Sequence, residues 1–244
     1  MIKNLLGRAL PALTLAALPL LAVGAPAAHA DSPTPSTPAV ARAATPPALG
    51  ARAVPLPLFE AIDQLTVDEE QREGYVRTLY KHWNRGLKAS DSCDTRKEVI
   101  LSEAVEAPQV AAGCKLTGGL WRSAYDEVVV TDAARLDVDH FVPLAEVHDS
   151  GGYGWDAARR EAYANDQNSP DILIAVSAAS NRSKADKDPA EWLPSDGSYH
   201  CTYAATWVGT KLRWRLAVDE AERQALLGLA EDCPTTTVVY EPAP

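Results

Sequence analysis

Asp137-Val138-Asp139-His140-Phe141-Val142-Pro143-Leu144, the stretch DVDHFVPL, sets three ionisable side chains within four residues and then runs into an apolar segment. Charged groups beside an apolar run usually mark a strand end. On a regular strand Asp137 and Asp139 share one face and His140 points to the other. If Asp139 and His140 serve one site, the strand must end or twist there. Pro143 fits that, since it cannot continue a ladder. The stretch is therefore read as a strand that opens into a loop and helix.

The residue types suit a particular chemistry. A hard cation such as magnesium takes oxygen ligands and keeps several of its waters. A neutral imidazole beside it takes a proton from water near physiological pH. What DVDHFVPL lacks is a second ligand. The segment NRSKADKDPAEWLP begins at Asn181, 41 residues after His140, and opens a helix directly after the apolar strand Ile172 to Val176.

Working outward, Asp94 can cap a helix from Thr95 to about Val105, and β-prone stretches follow at Cys114 to Trp121 and Val128 to Thr131. Pro143 to His148 and Trp155 to Ala164 have helical character. Ser177 caps a helix to Asp186. Cys201 to Trp214 has the periodicity of a helix, and Asp219 with Glu222 resembles a capping box for a last helix through Ala230. Strands and helices do not alternate regularly, so the fold class is α+β.

Residues 1–30 read as a signal peptide: Lys3 and Arg8, a Leu- and Ala-rich run, then Ala28-His29-Ala30. Residues 31–58 read as a Pro- and Ala-rich linker, 59–233 as one folded domain and 234–244 as a flexible tail. No later segment is long and apolar enough to span a bilayer. Losing Lys3 and Arg8 takes 23 basic and 33 acidic residues to 21 and 33, a net charge of −12. That argues against a broad polyanion-binding surface, though not against a local basic patch. Cys93, Cys114, Cys201 and Cys233 in an exported chain point to two disulfides. Of the three pairings, Cys93–Cys114 and Cys201–Cys233 each bracket a local segment.

Together, DVDHFVPL and SAASNRSKADKDP resemble the HNH endonucleases of the ββα-metal, or His-Me finger, superfamily, and especially exported actinobacterial proteins of that kind. WDAARREAYANDQNSPDILIAVS and CTYAATWVGTKLRWRLAVDEAERQALL look like the same exported group, so the resemblance covers about Cys93 to Cys233. It implies a ββα-metal finger embedded in a mainly helical, disulfide-stapled domain. It implies His140 as general base, with Asp139 and Asn181 as ligands to one divalent metal, Mg2+ ahead of Mn2+. Neighbouring groups can also hold Asp139. The closing His of the usual triplet is absent, and Asn181 stands in its place. A middle Asn orients the catalytic His through its backbone in many such proteins; Asn168 is taken for it, with Asn165 and Asp171 as rivals.

Arg182 and Lys184 either contact substrate phosphates or solvate a helix face. Lys211, Arg213 and Arg215 interleave with Trp214 as a base-stacking groove would, but a helix with a core tryptophan explains them more simply. Asp137 is expected to bond locally or to Arg135, Arg96 to make an internal ion pair, and His148 to sit on a helix surface. The implied activity is secreted, metal-dependent hydrolysis of nucleic acid, DNA ahead of RNA, with little sequence specificity and no membrane contact after leader removal. Two alternatives stand beside it: a catalytically weak or inactive extracellular binding module on the same fold, and a phosphodiesterase on small substrates.

Overall fold

A computed structural model describes residues 54–169 and 171–244 of the chain. The expected leader, 1–30, and linker residues 31–53 lie outside them. Along the chain come β1 (Leu56–Pro57), α1 (Leu58–Ile62), a 3-10 turn (Arg77–Leu79), α2 (Thr95–Ser102), β2 (Gln109–Ala111), β3 (Lys115–Thr117), β4 (Trp121–Arg122) and β5 (Val129–Val130). Then follow β6 (Leu136–His140), α3 (Leu144–Asp149), α4 (Ala157–Ala164), β7 (Leu173–Ser177), α5 (Ala178–Lys184), α6 (His200–Trp214), α7 (Glu220–Asp232) and β8 (Thr237–Val238). Among the described residues the strands form two-stranded antiparallel pairs, β1–β8, β2–β3, β4–β5 and β6–β7. The architecture is α+β.

The β6–β7 ribbon organises the domain. Its register sets Asp139 opposite Ile174 and His140 opposite Leu173. Paired residues share a face and neighbours alternate, so the ribbon has two chemically different sides. Val138, Leu173 and Ala175 pack with Val99, Ile100 and Trp121 beneath α2. Ile174 and Val176 join the larger core of Phe141, Tyr203, Trp207 and Trp214. One more bond, Phe141 N–H to the Ile172 carbonyl, extends the ladder before Pro143 starts α3.

Local signals place the helices. Asp94 accepts from Lys97 N–H at 2.8 Å, Ser177 from Ser180 N–H at 3.1 Å and Asp219 from Glu222 N–H at 2.7 Å. Cys93–Cys114 ties the start of α2 to β3, and Cys201–Cys233 ties α6 to α7. No described helix is long and apolar enough to cross a membrane.

Two boundaries need correction. Residues 234–244 are not a loose tail: β8 pairs with β1, Val238 is buried, and Ala243 N–H bonds the Arg213 carbonyl at 2.9 Å. The fold likewise begins before Phe59, because Leu56 and Pro57 are paired and Leu58 is buried. Neither segment carries a long apolar pattern. Each is ordered by the other.

Candidate active site

The end of β6 and the start of α3 form one wall of a cleft of about 400 Å3, which α5 closes from a second side. Tyr75, Arg77, Asp139, His140, Asn181 and Arg182 line it. Asp139 and His140 point to opposite faces of the ribbon, yet both reach the cleft because it opens where the strand ends.

His140 is 4 % exposed. Its Nε2 lies 3.0 Å from the Ala164 carbonyl, at the end of α4. A carbonyl only accepts, so Nε2 carries the proton and Nδ1 keeps its lone pair. Nδ1 has no protein hydrogen bond among the described residues. Trp83 stacks on the ring at 5.2 Å, and His82 meets it edge-on at 5.8 Å. Burial lowers the imidazole to about 3, so it is neutral at physiological pH.

The carbonyl that orients His140 is not that of Asn168. Asn168 is exposed, its N–H bonds Asp166, and it lines a separate groove with Arg213 and Tyr240. Asn165, one of its rivals, adjoins the orienting carbonyl instead. Its amide accepts from Asn84 N–H at 2.9 Å and Thr95 Oγ1 at 3.3 Å, and donates to the carbonyls of Lys81 and Glu161. The other rival, Asp171, is exposed.

Asp139 is 6 % exposed and divides its two oxygens. Oδ2 accepts from Tyr125 Oη at 2.7 Å and from Lys184 Nζ at 2.5 Å. Oδ1 has no protein hydrogen bond among the described residues. Burial pushes the Asp139 carboxyl up and the Lys184 ammonium down, and their mutual attraction opposes both shifts.

Lys184 does not face the cleft, so it cannot reach a substrate phosphate. Its side chain is 0 % exposed. Nζ donates to Asp139 and to the carbonyls of His140 and Phe141, at 3.3 and 2.9 Å, which uses all three of its protons. At position 184 the helix has turned toward the ribbon. Asn181, one turn earlier, is half-buried and lines the cleft. Its Nδ2 donates to Asp137 Oδ2 at 3.3 Å, and its amide oxygen has no protein hydrogen bond among the described residues. Arg182 is exposed at the rim, its Nε 3.6 Å from Asp137 Oδ2. Asp137 thus pairs with α5 rather than with Arg135.

Tyr125 and Arg77 carry no motif. Tyr125 sits 14 residues before Asp139 in an unmarked loop, and Arg77 lies on the 3-10 turn, far upstream in sequence. The positive charge of Arg77 reaches both Asp139 and His140. Elsewhere, Arg96 bonds the Leu136 carbonyl at 2.7 Å instead of an acid. His148 is buried against the Glu73 carbonyl. Lys211 and Arg213 are buried in ion pairs and so offer no exposed cationic face for base stacking, while Arg215 is exposed.

An all-oxygen pair, one carboxylate and one amide, fits a hard divalent cation and suits softer metals poorly. Two acidic groupings lie elsewhere, Glu70–Glu146–Asp149 and Asp188–Asp219–Glu222. Arg72 or Lys211 already engages Asp149, Glu146 and Glu222.

The family model described as GmrSD restriction endonucleases, C-terminal domain, matches residues 67–229, a span that contains every cleft residue named above. An "Uncharacterized secreted protein" of Arthroderma benhamiae is 36% identical over 162 residues, covering 66% of this chain and 77% of that one. That relative is fungal, so the likeness is not confined to actinobacteria. No solved structure matches the chain.

Proposed function

The chain belongs to the family of the GmrSD restriction endonuclease C-terminal domain, and from that premise we propose that it is a secreted HNH-type endonuclease, dependent on one divalent metal, that hydrolyses DNA phosphodiester bonds with little sequence specificity. Secretion agrees with the description of the fungal relative. The order of β6, β7 and α5, with the cleft at the ribbon's end, supports a ββα finger. One observation carries the reading: His140, a neutral imidazole, and Asp139, a carboxylate, line the same cleft, and His140 Nδ1 and Asp139 Oδ1 have no protein hydrogen bond among the described residues.

In this reading Asp139 and Asn181 hold the metal through oxygen. Mg2+ is the first choice and Mn2+ the second. When bound, the metal supplies stabilisation of the negative charge that develops on the phosphate and leaving oxygens. His140 takes a proton from the attacking water at Nδ1, while Nε2–H stays on the Ala164 carbonyl. Trp83 covers the ring and fixes its plane. Arg182 and Arg77, which both line the cleft, hold the substrate phosphate, so Arg77 fills the role expected of Lys184.

A net charge of −12 favours the alternative, a binding module with little or no turnover. The test is plasmid nicking by the oxidised mature protein, residues 31–244, with Mg2+, with Mn2+ and with chelator. The expected result is metal-dependent nicking that falls about 10²- to 10⁴-fold in His140→Ala. Equal behaviour of the two proteins across metals, on DNA and then on RNA, would leave the binding module as the better reading.

A further inference from the structure

The geometry points to Tyr125 and Lys184 as positioning residues that restrict Asp139 to one free oxygen and one weakly held divalent cation, so that the metal settles fully only when substrate phosphate arrives. This rests on the metal-site reading above and deepens it.

A carboxylate can chelate a cation through both oxygens or bind it through one. Here Oδ2 accepts two donors, Tyr125 Oη at 2.7 Å and Lys184 Nζ at 2.5 Å, and an sp2 oxygen has two lone pairs. Chelation through both oxygens is therefore closed, and Oδ1 alone is left. The lock is rigid at both ends. Lys184 spends its other two protons on the carbonyls of His140 and Phe141. Tyr125 is fully buried among Phe141, Trp192 and Tyr203.

The lock also sets charge. The Lys184 ammonium neutralises Asp139 from behind, and Asn181 is uncharged, so these two protein ligands and their buried counter-ion sum to zero. A divalent cation meets almost no net attraction from them. Substrate phosphate supplies the missing negative charge, and its oxygens supply further ligands. Removing either donor reverses this. Lys184→Met unmasks the carboxylate charge and frees part of Oδ2, and Tyr125→Phe frees the other part while keeping the charge.

The experiment measures Mn2+ binding without nucleic acid, by electron paramagnetic resonance and calorimetry, on the oxidised full mature chain. The proteins are wild type, Tyr125→Phe, Lys184→Met and Asp139→Asn. The wild type should bind in the millimolar range, and Asp139→Asn should abolish that binding. Lys184→Met should bind about tenfold tighter or more, as expected for removing one nearby buried charge, and Tyr125→Phe severalfold tighter. Nicking at saturating Mg2+ should fall in Tyr125→Phe while its Mn2+ affinity rises, an opposition that mere loss of packing would not produce.

Asp139-dependent binding that neither variant tightens would overturn this inference and leave the metal site standing. Binding that survives Asp139→Asn would overturn both. Should Lys184→Met not fold, Tyr125→Phe decides: unchanged or weaker Mn2+ binding rejects the lock, and tighter binding with slower nicking upholds it.

Discussion

At the scale of single residues, the side chain of Asn165 and the carbonyl of Ala164 divide one task. The carbonyl orients His140, and the Asn165 amide fastens the carbonyl's loop to Asn84, Thr95, Lys81 and Glu161. Asn165→Ala removes four hydrogen bonds. At about 0.5–1.5 kcal/mol each, that costs roughly 2–6 kcal/mol of stability. It should also slow nicking about 10²-fold at temperatures where the protein remains folded, since a small misplacement of a catalytic group carries such a penalty. Asn168→Ala should leave both nicking rate and melting temperature near wild type. Equal effects of the two substitutions would reject the assignment of the orienting loop to Asn165. The same contrast explains what the sequence could and could not reveal at this scale. Asp139, His140 and Asn181 stand out because their side-chain types and spacing are specific to a chemistry. A backbone carbonyl leaves no trace in residue identity, so Ala164 is invisible, and three polar candidates near it compete on equal terms. Lys184 misleads because a lysine two residues past an exposed arginine looks solvated. Only the rotation of α5 shows that it points inward.

At the scale of elements, the end of α2 meets the edge of the ribbon through an acid. Glu103 follows α2 and accepts from Ala175 N–H at 2.9 Å, closing an edge amide of β7. Burial raises its carboxyl from 4.5 to about 8. An acid whose folded value lies above its unfolded value favours the folded state fully below the unfolded value. That contribution is lost as pH rises through the folded one. The wild-type melting temperature should therefore decline between pH 5 and pH 8. Glu103→Gln, which keeps a carbonyl acceptor and no charge, should decline less. Parallel melting curves for the two proteins over that range would reject the assignment. Helix and strand positions were largely legible beforehand, because caps at Asp94, Ser177 and Asp219 and the apolar runs around residues 138 and 174 are local signals. Lengths were less so. The expected helix from Thr95 to Val105 stops at Ser102, where Val105 and Glu106 N–H instead bond the Leu120 carbonyl. Glu222, read as half of a capping box, receives the Asp219 cap through its N–H but turns its carboxylate inward to Trp207 and Lys211. Tertiary burial overrode the local pattern at both places.

At the scale of the whole domain, two remote segments hold the site's supporting loop. Four oxygens surround the Lys211 ammonium on α6 within 2.6–2.9 Å, those of Glu146 of α3, Glu222 of α7, the Ser150 hydroxyl and the Ala217 carbonyl, and its three protons are shared among them, so three helices meet at one buried charge. The cost of desolvating its charges offsets much of the attraction within such a buried network. The C-terminal segment acts on the neighbouring turn of α6. Arg213 donates to Asp166 at 2.8 Å and to the Glu241 carbonyl at 2.6 Å, and Asp166 lies two residues beyond the carbonyl that orients His140. Strand β8 seals the same region, with Val238 buried and the Leu58 N–H bonded to the Thr236 carbonyl at 3.0 Å. Ending the chain at Cys233 removes β8 and the Glu241 anchor of Arg213 while keeping both disulfides. Exposing the Val238 site costs about 1.5–3 kcal/mol, and the lost pairing with β1 adds to that. A domain of this size shifts by roughly 2–4 °C per kcal/mol, so the truncated protein should melt roughly 5–10 °C lower. Arg213 keeps Asp166 but loses its second anchor, so nicking should fall more steeply with temperature than in the full chain and approach wild type when cooled. An unchanged melting temperature would mean that residues 234–244 are the dispensable tail their composition suggests, and that Asp166 and Arg213 support the His140 loop without them.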